Sequence, residues 1–256
     1  MTAGDRFWAC SGYCPYRQLH VVVVRGWAGW AILPRVIEGT GMRWRRGRVS
    51  ATLYDIGVQH ERIAAALGRL LWASDVRRLY SEQYLLRALP EGSRVIDIPC
   101  GGGVAFRGLE PGRRVAYVAV DLSRAMIARA GREAARRGLG HVRFLEADVD
   151  ALPFPDNRFD LCLAYNSLHC FTNPEQAVSE LTRVLRPGGM LRGSTVLTGR
   201  GRRQDILIRL WTGLGMFGPG GSAGELRSWL VNAGLSRIRV EISGAIGFFS
   251  AQKREI

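Results

Sequence analysis

From residue 94 onward the chain alternates short apolar runs with amphipathic segments. Apolar runs of about four to eight residues are typical of buried strands, and apolar positions spaced about three and four apart are typical of helices. Strands that alternate with helices in this way form a mostly parallel sheet, which helices cover on both faces. The pattern predicts strands at 94–98, 114–120, 141–146, 159–164 and 190–197, helices at 123–138 and 174–186, and a short helix after Gly103.

The pattern changes near the end of the chain. A predicted helix at 223–233 leads into two neighbouring strands, at about 236–242 and 246–252, which the turn Ser243-Gly244 joins. Two strands joined by a short turn pair as an antiparallel hairpin. The predicted fold class is therefore α/β, with a Rossmann-like, doubly wound, mostly parallel seven-stranded sheet, an antiparallel C-terminal hairpin and helices on both faces.

Two further helices are predicted ahead of this sheet, at 59–72 and 75–89, and we expect them to flank the sheet and to cover a ligand cleft at its edge. Residues 1–48 show no clear period. They form an N-terminal arm that is either disordered or outside the working protein, the second case arising if translation begins at Met42. The main domain is expected to span residues 49–256.

One apolar segment between the fifth strand and the last helix allows two interpretations. Within residues 202–217, Ile206, Leu210 and Leu214 repeat at four-residue steps. The segment is either a lid over an apolar substrate or an ordinary helix packed on the core. The two remain open at this point, because periodicity is the same in both cases.

Acidic residues stand at the ends of three successive predicted strands. Asp97 lies in RVIDIPCGGG, where an apolar strand enters a glycine-rich turn, and Asp121 and Asp148 end the next two strands. Glycines in such a turn let the backbone approach a ligand without a Cβ in the way. Because ligands of open α/β sheets bind at the carboxyl ends of the strands, we expect the three acids to share one nucleotide-type cofactor site.

The glycine spacing distinguishes between two classes of cofactor. A dinucleotide site has the pattern G-x-G-x-x-G, whose third glycine lets the following helix pack closely. Gly101 and Gly103 match the first half of this pattern, but Phe106 stands at the third glycine. Asp97 would also repel a pyrophosphate in a partly dehydrated cleft. The sequence therefore favours a cationic cofactor, and a nicotinamide oxidoreductase is the weaker alternative.

At these residues the chain resembles the class I S-adenosylmethionine-dependent methyltransferases, and within them the small-molecule group (methyltransferase type 11) that includes the quinone-biosynthesis enzymes. The resemblance covers about residues 50–252. One departure is Pro99, which stands where the first loop glycine usually lies and has no N–H to donate to a cofactor. The stretches that carry the resemblance, in the family's order and spacing, are VIDIPCGGG, AVDLSRAMIARA, ADVDALPFPDNRFD and SLHCFTNPEQAVSELTRVLRPGG.

The resemblance implies S-adenosylmethionine as the cofactor and a small, apolar or aromatic molecule as the methyl acceptor. Asp121 is expected to accept hydrogen bonds from both ribose hydroxyls. Asp148 is expected to accept from the adenine amino group, while the N–H of Val149 reaches a ring nitrogen. We expect Asp97 to orient the glycine turn and to favour the cationic amino end, and Met126 to pack against the adenine. The predicted cofactor-binding residues are Asp97, Cys100, Gly101, Gly103, Asp121, Leu122, Met126, Asp148, Val149 and Asn166.

Methyl transfer requires an acceptor aligned behind the methyl carbon, opposite the sulfur, and positioning alone supplies much of the catalysis. If the acceptor must lose a proton, His169 is the first candidate for the base because it follows the fourth strand, and Tyr165 is the second. A purely structural, hydrogen-bonded His169 is the alternative.

Two other functions stay open. One is an RNA or protein methyltransferase. The segment YNSLHC after the fourth strand lacks the N-P-P-Y type of motif, which argues against this class. The other is a non-catalytic cofactor-binding module of the same fold.

Composition adds few constraints. The 256 residues are 47% apolar, which suits one α/β domain with an appendage. The formal net charge is +14, and because Lys253 is the only lysine, nearly all of the basic residues are arginines. These arginines are scattered along the chain, which indicates solvated faces rather than a dedicated nucleic-acid surface. The five cysteines show no disulfide or metal-site spacing, and no apolar run is long enough to cross a membrane. We therefore expect a cytoplasmic protein without a metal site.

Overall fold

The structure is a computed structural model that describes residues 20–26, 29–35, 61–75 and 77–255. The chain divides into two units, Met1–Gly39 and Thr40–Ile256.

The first unit contains an antiparallel pair of strands, β1 (His20–Gly26) and β2 (Gly29–Arg35). These strands were not predicted, although β1 contains a run of four valines, which are β-branched and favour strands. The other predictions for the arm, which concern its possible disorder and a start at Met42, lie outside the described residues.

The second unit is built on a seven-stranded sheet with the strand order β5-β4-β3-β6-β7-β9-β8. The first five strands in this order run parallel, and β9 pairs antiparallel with both β7 and β8. The predicted fold class, with its antiparallel C-terminal hairpin, is therefore confirmed. The strands are β3 (Arg94–Asp97), β4 (Ala116–Asp121), β5 (Arg143–Glu146), β6 (Phe159–Ala164), β7 (Leu185–Val196), β8 (Leu235–Ser243) and β9 (Ile246–Lys253).

The helices lie close to their predicted positions, with one change. The predicted helix at 75–89 is α-helical only to Gln83 and then continues as a 3-10 helix, Tyr84–Ala88. No helix among the described residues is long and apolar enough to cross a membrane. The α-helices are α1 (Glu61–Trp72), α2 (Arg77–Gln83), α3 (Arg124–Arg136), α4 (Pro174–Val184), α5 (Arg202–Gly213) and α6 (Ala223–Asn232).

The strand order positions the functional site. The chain enters the sheet at β3, moves outward through β4 and β5, and then returns to β6 on the other side of β3. A crevice forms where the order reverses, outside the carboxyl ends of the strands. The central strands are fully buried, with Val95, Ile96, Ala119, Val120 and Cys162 each 0% exposed, so the crevice stands on a rigid base.

Candidate cofactor site

A cleft of about 180 Å³ lies at the carboxyl ends of β3, β4, β5 and β6. Its walls come from the glycine-rich turn after β3, from the ends of the other three strands, and from Leu79 and Gln83 on α2. The switch point of the sheet therefore brings together the strand ends that carry Asp97, Asp121 and Asp148.

Every predicted cofactor-binding residue lines this cleft except Gly103. Gly103 has φ +85°, and a Cβ at this position would lie 2.5 Å from the ring of Phe106. The residue is therefore needed for the turn and for the packing of Phe106, and Gly102 lines the cleft instead. The predicted residues that do line it are Asp97, Cys100, Gly101, Asp121, Leu122, Met126, Asp148, Val149 and Asn166.

Asp121 connects the end of β4 to the glycine-rich turn. Its Oδ2 accepts a hydrogen bond from the N–H of Gly101 at 3.0 Å, and its Oδ1 accepts one from the N–H of Ser123 at 2.8 Å. Ser123 is the N-cap of α3, and its side chain makes no capping hydrogen bond to the helix. A carboxylate can accept about four hydrogen bonds, so this geometry is compatible with two more from a ribose diol. The ribose role of Asp121 stays a prediction.

Asp97 is held by a residue that the sequence analysis did not single out. The carboxyl group is 2% exposed, and its Oδ2 accepts a hydrogen bond from the Tyr117 hydroxyl at 2.8 Å. Burial raises the pKa of Asp97 to about 7; the Tyr117 hydrogen bond lowers the pKa, and the charge of Asp121 raises it. Burial also raises the pKa of Tyr117, so this phenol keeps its proton and donates.

Two acids stand at the third strand end. Asp148 Oδ1 accepts a hydrogen bond from the N–H of Asp150 at 3.2 Å, which holds the turn that carries Val149. Asp150 also lines the cleft, and burial, followed by the charge of Asp148, raises its pKa. The geometry leaves both acids as candidates for the adenine amino group.

The cleft is strongly acidic although the protein is basic overall. Its lining includes Asp97, Asp121, Asp148 and Asp150, and no lysine, arginine or histidine is among the described residues that line it. Gly101 adds an open surface, because a Cβ there would have no atom within 4 Å. The residues present therefore fit a cationic, ribose-containing cofactor, and S-adenosylmethionine has this chemistry.

His169, the first candidate for a catalytic base, does not line the cleft. It is 2% exposed, and its Nδ1 accepts a hydrogen bond from the N–H of Val196 at 3.2 Å. Burial lowers its pKa to about 3, so the ring is neutral, and the ring of Phe217 packs against it at 4.4 Å. The turn after β6 directs this side chain inward, and the base role predicted for His169 has no geometric support.

Tyr165, the second candidate, does line the cleft. Its hydroxyl lies 3.4 Å from Glu82 Oε2. Burial raises the pKa of Tyr165, and the charge of Glu82 raises it further. Tyr165 therefore keeps its proton at neutral pH, which suits a hydrogen-bond donor or a wall of the acceptor pocket better than a base.

Two groups of cleft residues were not predicted from the sequence. Cys170, Phe171 and Thr172 follow β6 and could have been inferred from their place after a strand end. Leu79 and Gln83 lie on α2, and the only sequence signal for them was the expectation that this helix covers the cleft.

No residue of α5 lines the cleft. The described structure therefore shows no contact between this helix and the cleft that would support the lid interpretation.

Residues 96–192 match a family model described as a methyltransferase domain. A demethylmenaquinone methyltransferase of Thermus thermophilus is 41% identical over 130 residues, covering 49% of this chain and 57% of the relative. The ubiquinone/menaquinone biosynthesis C-methyltransferase UbiE of Stutzerimonas stutzeri is 33% identical over 125 residues, covering 47% of this chain and 49% of the relative. The chain thus spans about half the length of the curated relatives it matches.

Similarity to solved structures supports the same fold. The cyclase SpnF superposes with a TM-score of 0.60 at 21% identity, covering 82% of this chain and 97% of that chain. At this level of identity the likeness concerns the fold alone.

Proposed function

We propose that this chain, which carries a class I S-adenosylmethionine-dependent methyltransferase domain, transfers a methyl group from S-adenosylmethionine to a small, apolar or aromatic acceptor. The family match over residues 96–192 supports a methyltransferase domain and implies this cofactor. The observation that carries the proposal is the cleft at the switch point, which collects acids from three strand ends and excludes basic side chains from its described lining.

The cofactor supplies a methyl group on a positively charged sulfur, which makes the methyl carbon reactive toward a nucleophile. Asp121 would hold the ribose diol, and Asp148 or Asp150 together with the N–H of Val149 would hold the adenine. Asp97 would favour the ammonium group at the opposite end of the cofactor. Fixing both ends in this way restricts the position of the methyl group, and positioning of this kind contributes roughly 7 to 11 kcal/mol to catalysis in favourable cases.

The acceptor would lie against the apolar part of the lining, to which Leu79, Tyr165 and Phe171 contribute. The names of the relatives make quinol-type aromatic rings the first class of acceptor to test. Because His169 is outside the cleft and Tyr165 keeps its proton, we propose that the reaction depends on positioning rather than on a histidine or tyrosine base. We retain a cytoplasmic location as part of the proposal.

Calorimetry tests the cofactor part of the proposal. S-adenosylmethionine and its demethylated product S-adenosylhomocysteine should both bind, and NAD should not, because Asp97 and the missing third glycine disfavour a pyrophosphate. NAD binding at micromolar concentration, with no response to either sulfur compound, would contradict the proposal.

A methyl-transfer screen tests the acceptor part. Quinols, phenols and lipids are incubated with a labelled methyl donor, and RNA and a protein mixture are included as the alternative substrates. We expect label on a small aromatic or apolar compound. Label on RNA or protein would favour the alternative enzyme class, and tight cofactor binding without transfer to any substrate would favour a non-catalytic module.

A further inference from the structure

Gln83 is a buried amide without a hydrogen-bond partner. It is the last residue of α2, lines the cleft and is 1% exposed. Neither its Nε2 nor its Oε1 has a hydrogen-bond partner within the described part of the chain. Leaving a buried polar group unpaired is unfavourable, and most such groups in folded proteins are satisfied. An unpaired amide that borders a ligand cleft is therefore a candidate for ligand recognition.

The backbone around Gln83 is fixed beside the glycine-rich turn. Helix α2 packs against the 3-10 helix Val104–Gly108, which follows that turn directly. The approach is close, because a Cβ on Gly108 would lie 1.8 Å from the carbonyl oxygen of Gln83. Gln83 is therefore held on the side of the cleft formed by the glycine-rich turn and the 3-10 helix that follows it.

Two polar side chains that line the same cleft, those of Asp97 and Tyr165, already have partners. Asp97 accepts from Tyr117, and the Tyr165 hydroxyl lies against Glu82. The cofactor, however, brings a carboxylate as well as an ammonium group at its methionine end. Asp97 suits the ammonium group. No arginine, lysine or histidine is present in the described lining to receive the carboxylate, so neutral N–H donors must do so.

We propose that Gln83 is a cofactor-positioning residue whose Nε2 amide group donates hydrogen bonds to the carboxylate of the methionine end of S-adenosylmethionine. The inference rests on the proposed function, because it assumes this cofactor. It assigns the two groups of the methionine end to two elements: Asp97 at the end of β3 receives the ammonium group, and Gln83 on α2 receives the carboxylate.

The test compares two ligands that differ only at this end. S-adenosylhomocysteine carries the amino-acid group, whereas 5′-methylthioadenosine has the same adenosine and thioether without it. For Gln83→Leu we expect S-adenosylhomocysteine to bind at least about tenfold more weakly by calorimetry, with 5′-methylthioadenosine unchanged. The melting temperature of the ligand-free variant should stay the same or rise, because an apolar side chain replaces an unpaired amide.

Gln83→Glu keeps the size of the side chain and changes its charge. If Nε2 donates to the carboxylate, the new carboxylate repels it, and S-adenosylhomocysteine should bind more weakly than it does to Gln83→Leu. If Gln83 instead accepts from the ammonium group, the same variant should bind more tightly, which overturns the assignment. Asp121→Asn is the matched control, since loss of a ribose contact should weaken both ligands together.

Three further results would also overturn the inference. Equal losses for both ligands, together with a lower melting temperature, would show a structural role. Unchanged S-adenosylhomocysteine affinity in both Gln83 variants would remove the residue from the cofactor site. If the acceptor KM also increased in these variants, Gln83 would instead belong to the acceptor site. Failure of the wild-type chain to bind S-adenosylhomocysteine would contradict the proposed function itself. If Gln83→Leu does not fold, Gln83→Met provides the same comparison.

Discussion

The charge of Asp97 depends on its burial in the fold. Burial raises its pKa to about 7, although the Tyr117 hydroxyl donates to it at 2.8 Å. An acid with this pKa changes its charge near neutrality, and such groups are often found at functional sites. The charge state of Asp97 should therefore be visible in cofactor binding.

Cofactor affinity should depend on pH through Asp97. The ammonium group of S-adenosylhomocysteine is attracted to the ionised carboxylate, so binding favours the form that predominates above a pKa of about 7. We expect affinity to rise as the pH increases toward about 7 and to level off above it. Calorimetry across this range measures the effect. Asp97→Asn should bind more weakly at high pH and show a flat profile, and a wild-type profile without any rise would contradict the role of Asp97.

Tyr117→Phe is the matched variant for this prediction. It removes the hydrogen bond that lowers the pKa of Asp97 and leaves the aromatic ring in the core. The pKa of Asp97 should then increase, so the midpoint of the affinity profile should move to higher pH while the affinity at the upper plateau changes less. A midpoint that stays in place would show that Tyr117 has no influence on this carboxylate.

The sequence predicted the acids of the site but not their partners. Asp97, Asp121 and Asp148 could be found because each stands at the end of an apolar run. The Tyr117 contact depends on the register of two parallel strands, in which Tyr117 pairs with Val95 and Ala119 pairs with Asp97. Hydrophobic periodicity does not give this register, so the Tyr117 hydrogen bond could not be predicted.

At the scale of elements, β7 shows where a local rule was too simple. The pattern predicted a helix at 174–186 and a strand that begins at 190, yet β7 begins at Leu185 and includes Pro187. The register of β6 against β7 is irregular between Phe159 and Leu161. Proline is tolerated in a strand at such an irregularity, because a ladder hydrogen bond is already missing there.

Helix α5 has two faces with different environments. On the inner side, the Trp211 ring lies 5.7 Å from that of Trp72 and 5.1 Å from that of Phe217. On the outer side, Leu210 is 55% exposed. Leu214, which caps the C-terminal end of the helix, is 47% exposed. The two interpretations of the segment 202–217 therefore concern different side chains, and a pair of variants separates them.

Trp211→Ala should destabilise the protein, and Leu214→Ala should not. Loss of a fully buried tryptophan costs about 3 to 5 kcal/mol, and because Trp211 is half-buried we expect a smaller loss of about 1 to 3 kcal/mol. Replacement of an exposed leucine typically changes the free energy of unfolding by less than about 0.5 kcal/mol. Denaturant unfolding measures both values. The Leu214→Ala variant tests the lid interpretation. A higher acceptor KM with unchanged stability and cofactor affinity would support a lid. An unchanged acceptor KM would favour an ordinary packed helix.

For the whole molecule, the charge distribution separates the site from the surface. The formal charge is +14, yet the described lining of the cleft carries four aspartates and no basic residue. Net charge alone therefore gave no information about the ligand. The strand order explains why the site was nevertheless predictable, since any sheet that reverses between its first and fourth strands places those strand ends together. The place of Gln83 in the cleft could not be predicted, because the spacing of apolar positions in a helix does not show which residue faces a turn that is distant in sequence.

Removal of residues 1–41 should leave the main unit intact. The described residues that line the cleft all lie between Leu79 and Thr172, and the larger of the two units begins at Thr40. We expect the shortened chain to keep the melting temperature and the S-adenosylhomocysteine affinity of the full chain. A longer deletion of residues 1–76 is the control, because it also removes α1, whose Trp72 packs on Trp211, and it should lower the melting temperature. Aggregation or a loss of affinity after the shorter deletion would show instead that the arm covers part of the core or of the cleft.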